Sequence, residues 1–164
     1  MSHLVTVLYT PGQLRSAISI APETYRHWKK ALSPLRRGRG HSPCFTSGDL
    51  VAVAVIRSLA VDMAVRVGAL GPIAEPLFDL CSQSPWPVLE RAKLIIDLPE
   101  GQLHLRPELN ENTSSRPTIT IPLRPVVSGL REQLLAASDV KDQASLRFPP
   151  IPVNSAAAAG GARS

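Results

Sequence analysis

The sequence predicts an α+β chain. A basic helix-turn-helix unit with a wing opens it, and a small β-hairpin or sheet plus a helix closes it. Three observations lead there. Two short helical patterns, the first of them capped, lie a short turn apart near the N-terminal end, the apolar period switches from helical to alternating at Ala92, and the positive charge is concentrated in the first third of the chain.

Thr10-Pro11-Gly12-Gln13 reads as a helix start. Thr10 can cap, Pro11 suits the first helical position, and Gln13 can complete a capping box. This helix runs to about Ser19 with Leu14, Ala17 and Ile18 inward. After Ser19-Ile20-Ala21, Pro22 opens a second helix to about Leu32, although Ala21 offers no capping oxygen. Tyr25, Trp28 and Leu32 form its apolar stripe, which leaves Glu23, Thr24, Arg26, His27 and Lys30 on the other faces. Pro34 ends it. Residues 35–41 are too rich in Gly and Arg to be buried and read as a turn or small β-wing.

Thr46-Ser47-Gly48-Asp49 is a further cap pattern, with Asp49 in the favourable first turn. A buried central helix is expected over Leu50 to Val67, broken by Gly68 and Gly71-Pro72. A short helix is expected over Ile73 to Cys81. Ser84-Pro85-Trp86-Pro87 interrupts the chain, and Val88 to Arg91 can add one turn. Ala92–Leu98 and Leu103–Arg106 then alternate as strands around a Pro99–Gln102 turn. Thr118–Leu123 is a third strand, with Pro122 favouring an edge. Val126–Ala137 has helical spacing. The predicted domains are 1–88, a DNA-binding unit; 89–138, an accessory or dimerisation region; and 139–164, a disordered tail rich in Ala, Pro and Gly. The apolar face of the strands can either cover the helical core or pair with a second copy.

At 44% hydrophobic and 4% aromatic residues, aliphatic side chains must fill the core. No stretch reaches the roughly 20 apolar residues of a membrane span. Met1 to Thr10 lacks the basic region of a secretory signal. The two cysteines, Cys44 and Cys81, make no disulfide framework. The expected compartment is therefore the cytoplasm, with nucleoid association. Residues 1–50 carry seven of the 18 Lys and Arg against two of the 13 acids, so this third accounts for the whole formal charge of +5. Such a patch attracts polyanions through its long-range field.

A helix, a tight turn and a second helix can set that second helix in the major groove. Thr24, Arg26, His27 and Lys30 are its candidate DNA contacts, and Arg15 on the first helix is a candidate phosphate contact. Arg36, Arg37 and Arg39 can reach a flanking phosphate run or a minor groove. His3, His41 and His104 read as ordinary surface residues, and His41 with Cys44 lacks the further ligands that zinc requires. Trp86 can anchor a loop or meet a partner. There is no phosphate-binding glycine loop, Gly-x-Ser-x-Gly elbow or His-Glu-x-x-His, so no catalytic residue, cofactor or metal is expected and the chain does not read as an enzyme.

Four segments carry a resemblance: Tyr9 to Leu14, Ala21 to Trp28, Arg36 to Gly40, and Phe45 to Leu50. Together they resemble the MerR-type winged helix-turn-helix, over roughly Tyr9 to Ala74. That family has a leading Tyr-Thr, a Ser-Pro-x-Thr-Φ-Arg helix start (Φ apolar), an Arg-Gly wing and a polar-x-Asp-Leu start to the next helix. The resemblance implies that Thr24, Arg26 and His27 face DNA and that Arg37 and Arg39 are wing contacts. The long dimerisation helix of the family is not visible, and Ala92 to Leu123 reads as strands in its place. The expected function is a sequence-specific bacterial transcriptional regulator binding double-stranded DNA, with a homodimer as the matching assembly for a palindromic site. The alternatives are a DNA-bending recombination directionality factor and a non-enzymatic protein-interaction module.

Overall fold

A computed structural model describes residues 6–37, 40–111 and 114–145. The two N-terminal helices form about where the sequence places them. Helix α1 spans Pro11–Ile18, and both halves of its capping box form: the Gln13 amide donates to Thr10 Oγ1 at 3.1 Å, and the Thr10 amide to Gln13 Oε1 at 2.8 Å. Ser19 ends α1 in the left-handed region, φ 54, and its amide donates back to Arg15 and Ser16 carbonyls. Helix α2 spans Pro22–Ala31 and has no side-chain cap, in keeping with Ala21 before it.

The wing is corrected. Residues Ser33–Arg36 form a 3-10 turn that buries Pro34 and Leu35, which draws the start of the segment into the core. Among the described residues the only pairing near it is a single antiparallel bridge between Tyr9 and Phe45, not a hairpin. Gly38 and Arg39 lie outside the described residues.

The central helix is also corrected. Helix α3 spans Ser47–Arg57, followed by a π-helical turn over Ser58–Asp62. The chain breaks at Met63–Arg66, where Ala64 takes φ 54. Helix α4 then starts at Val67 and runs to Gln83. The glycines and Pro72 thus lie in its opening turns instead of ending its predecessor. Pro72 removes only one ladder bond there, and Gly71 lets the Ala31 carbonyl come within 3.3 Å of where a Cβ would stand.

Helix α5 spans Trp86–Glu90. Strands β1 (Ala92–Asp97), β2 (Gln102–Pro107) and β3 (Ile119–Pro122) form an antiparallel sheet in the order β2-β1-β3. Helix α6 starts directly at Leu123 and runs to Ser145, past the expected start of the tail at 139. Residues 146–164 lie outside the described residues. The register pairs Leu94 with Leu105 and Ile121, and Ile96 with Leu103 and Ile119, so one face of the sheet is aliphatic. That face covers the helical core. β1 packs against α6 and β2 against α4. The buried side chains form one cluster from Leu14 to Leu130 that crosses residue 88 without a gap. Among the described residues no helix is long and apolar enough to cross a membrane.

The core is organised around α3, which packs against α1, α4 and α6. It buries Leu50, Val51, Ala52, Val53, Val55 and Ile56. A helix apolar on every side needs such neighbours on every side. The tightest crossing is with the C-terminal end of α4. A Cβ on Gly48 would stand 2.5 Å from the Cys81 carbonyl oxygen and from Ser82 Cα. Gly48→Ala is expected to lower stability by about 1–3 kcal/mol, because backbone must move aside. Gly129→Ala, in the interior of α6 with nothing within 4 Å of its Cβ position, is expected to raise it by about 0.5–1 kcal/mol. Urea unfolding of the two variants should therefore shift in opposite directions.

Candidate nucleic-acid interface

The outward stripe of α2 follows from where its inward stripe lies. Tyr25 and Trp28 are buried, so Glu23, Arg26, His27 and Lys30 recur at helical spacing on the solvent side. Thr24 is half-buried on the flank. Beside this stripe is a cleft of about 290 Å³ between the start of α1, α2 and the turn at Gly40-His41. Arg15, Arg26, Lys29 and His41 line it, together with Tyr25, Gly40 and two prolines, and no carboxylate does.

Tyr25 organises that cleft. Its ring has the Arg15 guanidinium 6.0 Å and the Lys29 ammonium 5.6 Å from its centroid, so two cations stand near one aromatic ring. Its hydroxyl donates to the buried Leu35 carbonyl at 3.4 Å. Burial, then Cys44 nearby, pushes the phenol from 10.0 up to about 12, with Arg15 acting in the opposite direction. Among the described residues Arg15, Arg26, Lys29, Lys30 and Arg36 form no ion pair; the pairs that do form belong to Arg37, Arg116, Arg124 and Arg131. The cluster can therefore accept an anion without first breaking an internal contact.

Arg37 is placed differently from its neighbours. One of its nitrogens lies 3.5 Å from the buried Asp49 carboxylate, another lies 3.3 Å from Glu75, and the guanidinium sits 5.4 Å from the Phe78 ring centroid. Glu75 also accepts from Ser33 Oγ at 2.9 Å. Together these contacts clip the 3-10 turn to α3 and α4. Arg36 is exposed, and Arg39 lies outside the described residues. The structure thus brings Arg15 and Arg26 to one cleft, puts Arg26, His27 and Lys30 on one face, and gives Arg37 a contact inside the fold. Sequence reasoning missed Lys29 and His41. Lys29 sits one helical turn after Tyr25, a usable signal, but the approach of His41 depends on the fold of the turn.

Trp86 is an anchor: its Nε1 donates to the Ser47 carbonyl at 3.1 Å, and Arg131 lies 5.9 Å from its ring centroid. Cys44 is half-buried and Cys81 buried. Burial, then Asp49, pushes the Cys81 thiol from 9.0 up to about 12, and burial raises Cys44 as well. Among the described residues no group of three His, Cys, Asp or Glu side chains could hold a metal ion. Comparison of the chain with protein-family models, curated proteins and solved structures gives no match.

Two expectations follow. Arg37→Ala should lower stability by about 1–2 kcal/mol, a figure kept small because its side chain is 38% exposed and water-screened. Arg36→Ala should leave it unchanged to within about 0.5 kcal/mol; chemical denaturation of the two single variants tests this. The second concerns pH. Tyr25, Cys44 and Cys81 hold their protons in the folded state at pH values where the unfolded chain releases them, so the contribution is complete below about pH 9 and lost as pH rises toward about 12. The urea midpoint should fall across that window, and by less in Cys81→Ala than in the wild type.

Proposed function

We propose that the chain is a sequence-specific DNA-binding protein that uses its two N-terminal helices as a helix-turn-helix unit without a β-wing, and acts as a transcriptional regulator. The observation that carries the reading is the carboxylate-free cleft of Arg15, Arg26, Lys29 and His41 beside the exposed stripe of Glu23, Arg26, His27 and Lys30. Such a surface suits a duplex in both its parts. The cleft cations neutralise backbone phosphates and release counterions, which gives affinity without sequence information. The α2 stripe enters the major groove, where Arg26 can make a bidentate contact to guanine and His27 or Thr24 can contact a neighbouring edge. Arg36 extends the basic run toward the flanking phosphates. A homodimer would present two such helices to a palindromic site.

The test is fluorescence anisotropy with duplexes selected from a random pool, at several salt concentrations. The wild type should bind with an affinity that falls steeply with salt. Arg15→Ala and Lys29→Ala should each flatten the slope of log K against log salt by about 1, uniformly across sequences. Arg26→Ala should cost about 1–3 kcal/mol and relax preference at one base pair. Arg37 is left unchanged throughout, since its replacement would perturb the fold. Indifference of the wild type to duplex DNA at low salt would sink the reading.

A further inference from the structure

A shallow depression of about 340 Å³, open to solvent, lies between α1, the C-terminal end of α3 and α6. It lies apart from the basic cleft and shares no residue with it. Its lining joins two kinds of chemistry. Val126 is half-buried, with Leu130 and Ile18 buried beside it; Arg57 is half-buried, and Glu132 and Gln133 are exposed. Arg57 and Glu132 carry opposite charges, yet neither forms an ion pair among the described residues. A cation and an anion that line one opening without pairing are available to a ligand that carries both complements.

Gly129 is the second observation. It sits inside a 23-residue helix, where glycine is less favourable than alanine by about 0.5–1 kcal/mol. No packing contact demands it, because a Cβ there would meet nothing within 4 Å. Its effect is to keep the wall of the depression low beside Leu130 and Gln133.

We propose that this depression binds a small free α-amino acid with an aliphatic side chain. The carboxylate would lie on the Arg57 guanidinium, the ammonium on the Glu132 carboxylate, and the side chain on Val126 and Leu130. A polyanion is disfavoured by Glu132, and a wholly apolar ligand would gain nothing from either charge. The site does not rest on the DNA reading.

Isothermal titration of the full chain with L-leucine tests it, alongside leucinamide, which lacks the carboxylate, and N-acetyl-L-leucine, which lacks the ammonium. L-leucine should bind, and both derivatives should bind at least about tenfold more weakly, as expected for loss of a charge-assisted hydrogen bond. Arg57→Gln should remove the preference over leucinamide. Gly129→Leu, which fills the open space, should abolish binding while its unfolding midpoint rises or holds, so that loss of binding is not loss of fold. The proposal is overturned by any of three results: no heat and no stabilisation with L-leucine, L-valine or L-isoleucine at about 10 mM; equal binding of leucine and its derivatives; or unchanged binding by folded Gly129→Leu.

Discussion

The fold depends on one buried carboxylate. Asp49 is 1% exposed and stands at the start of α3, where three separate parts of the chain meet. Its carboxylate accepts from the Thr46 amide at 2.8 Å and from Ser82 Oγ at 3.1 Å, and lies 3.5 Å from Arg37. The first contact closes the capping box that starts the helix, the second holds the end of α4, and the third brings in the turn after α2. A buried charge is tolerated only when its oxygens are matched by donors in this way. Gly48 beside it removes the side chain that would otherwise keep α3 and α4 apart.

That junction also sorts the arginines. Seven basic residues fall within the first 50 positions, and the described ones include two kinds. Arg37 faces carboxylates and a ring, and serves the architecture. Arg15 and Lys29 stand near Tyr25 with no carboxylate in reach, and Arg26 and Lys30 point to solvent. Net charge alone cannot separate the two kinds, because it counts a neutralised guanidinium and a free one alike. The field outside the molecule comes from the free ones.

The C-terminal sheet closes the fold. Its aliphatic face would be a liability if exposed, and α4 and α6 cover it. The other face carries Lys93, Asp97, His104 and Arg106, in alternation with the aliphatic positions. Helix α6 touches α1, α3, α5 and β1, so the N-terminal helices and the sheet share one hydrophobic interior. The depression beside Gly129 lies where α1, α3 and α6 meet without filling the space between them.

The sequence by itself determined the local structure wherever neighbouring residues decide the outcome. The capping boxes at Thr10 and Thr46, the turn between α1 and α2, the stripe of Tyr25 and Trp28, and the alternation of β1 and β2 all rest on contacts within a few residues. Only the tertiary structure decided the rest. The end of α3, the early start of α4 through Gly68 and Pro72, and the burial of Leu35 depend on what packs against them, and periodicity is silent in a run that is apolar on every side. The same holds for the candidate sites. Arg26 and Lys30 were legible as exposed cations and Arg15 as a cation on the first helix, but the partners of Arg37 stand on α3 and α4, and His41 reaches the cleft through a turn without periodic signal. Spacing along the chain fixes which face of an element a side chain occupies; which other element stands opposite is set by packing across the core.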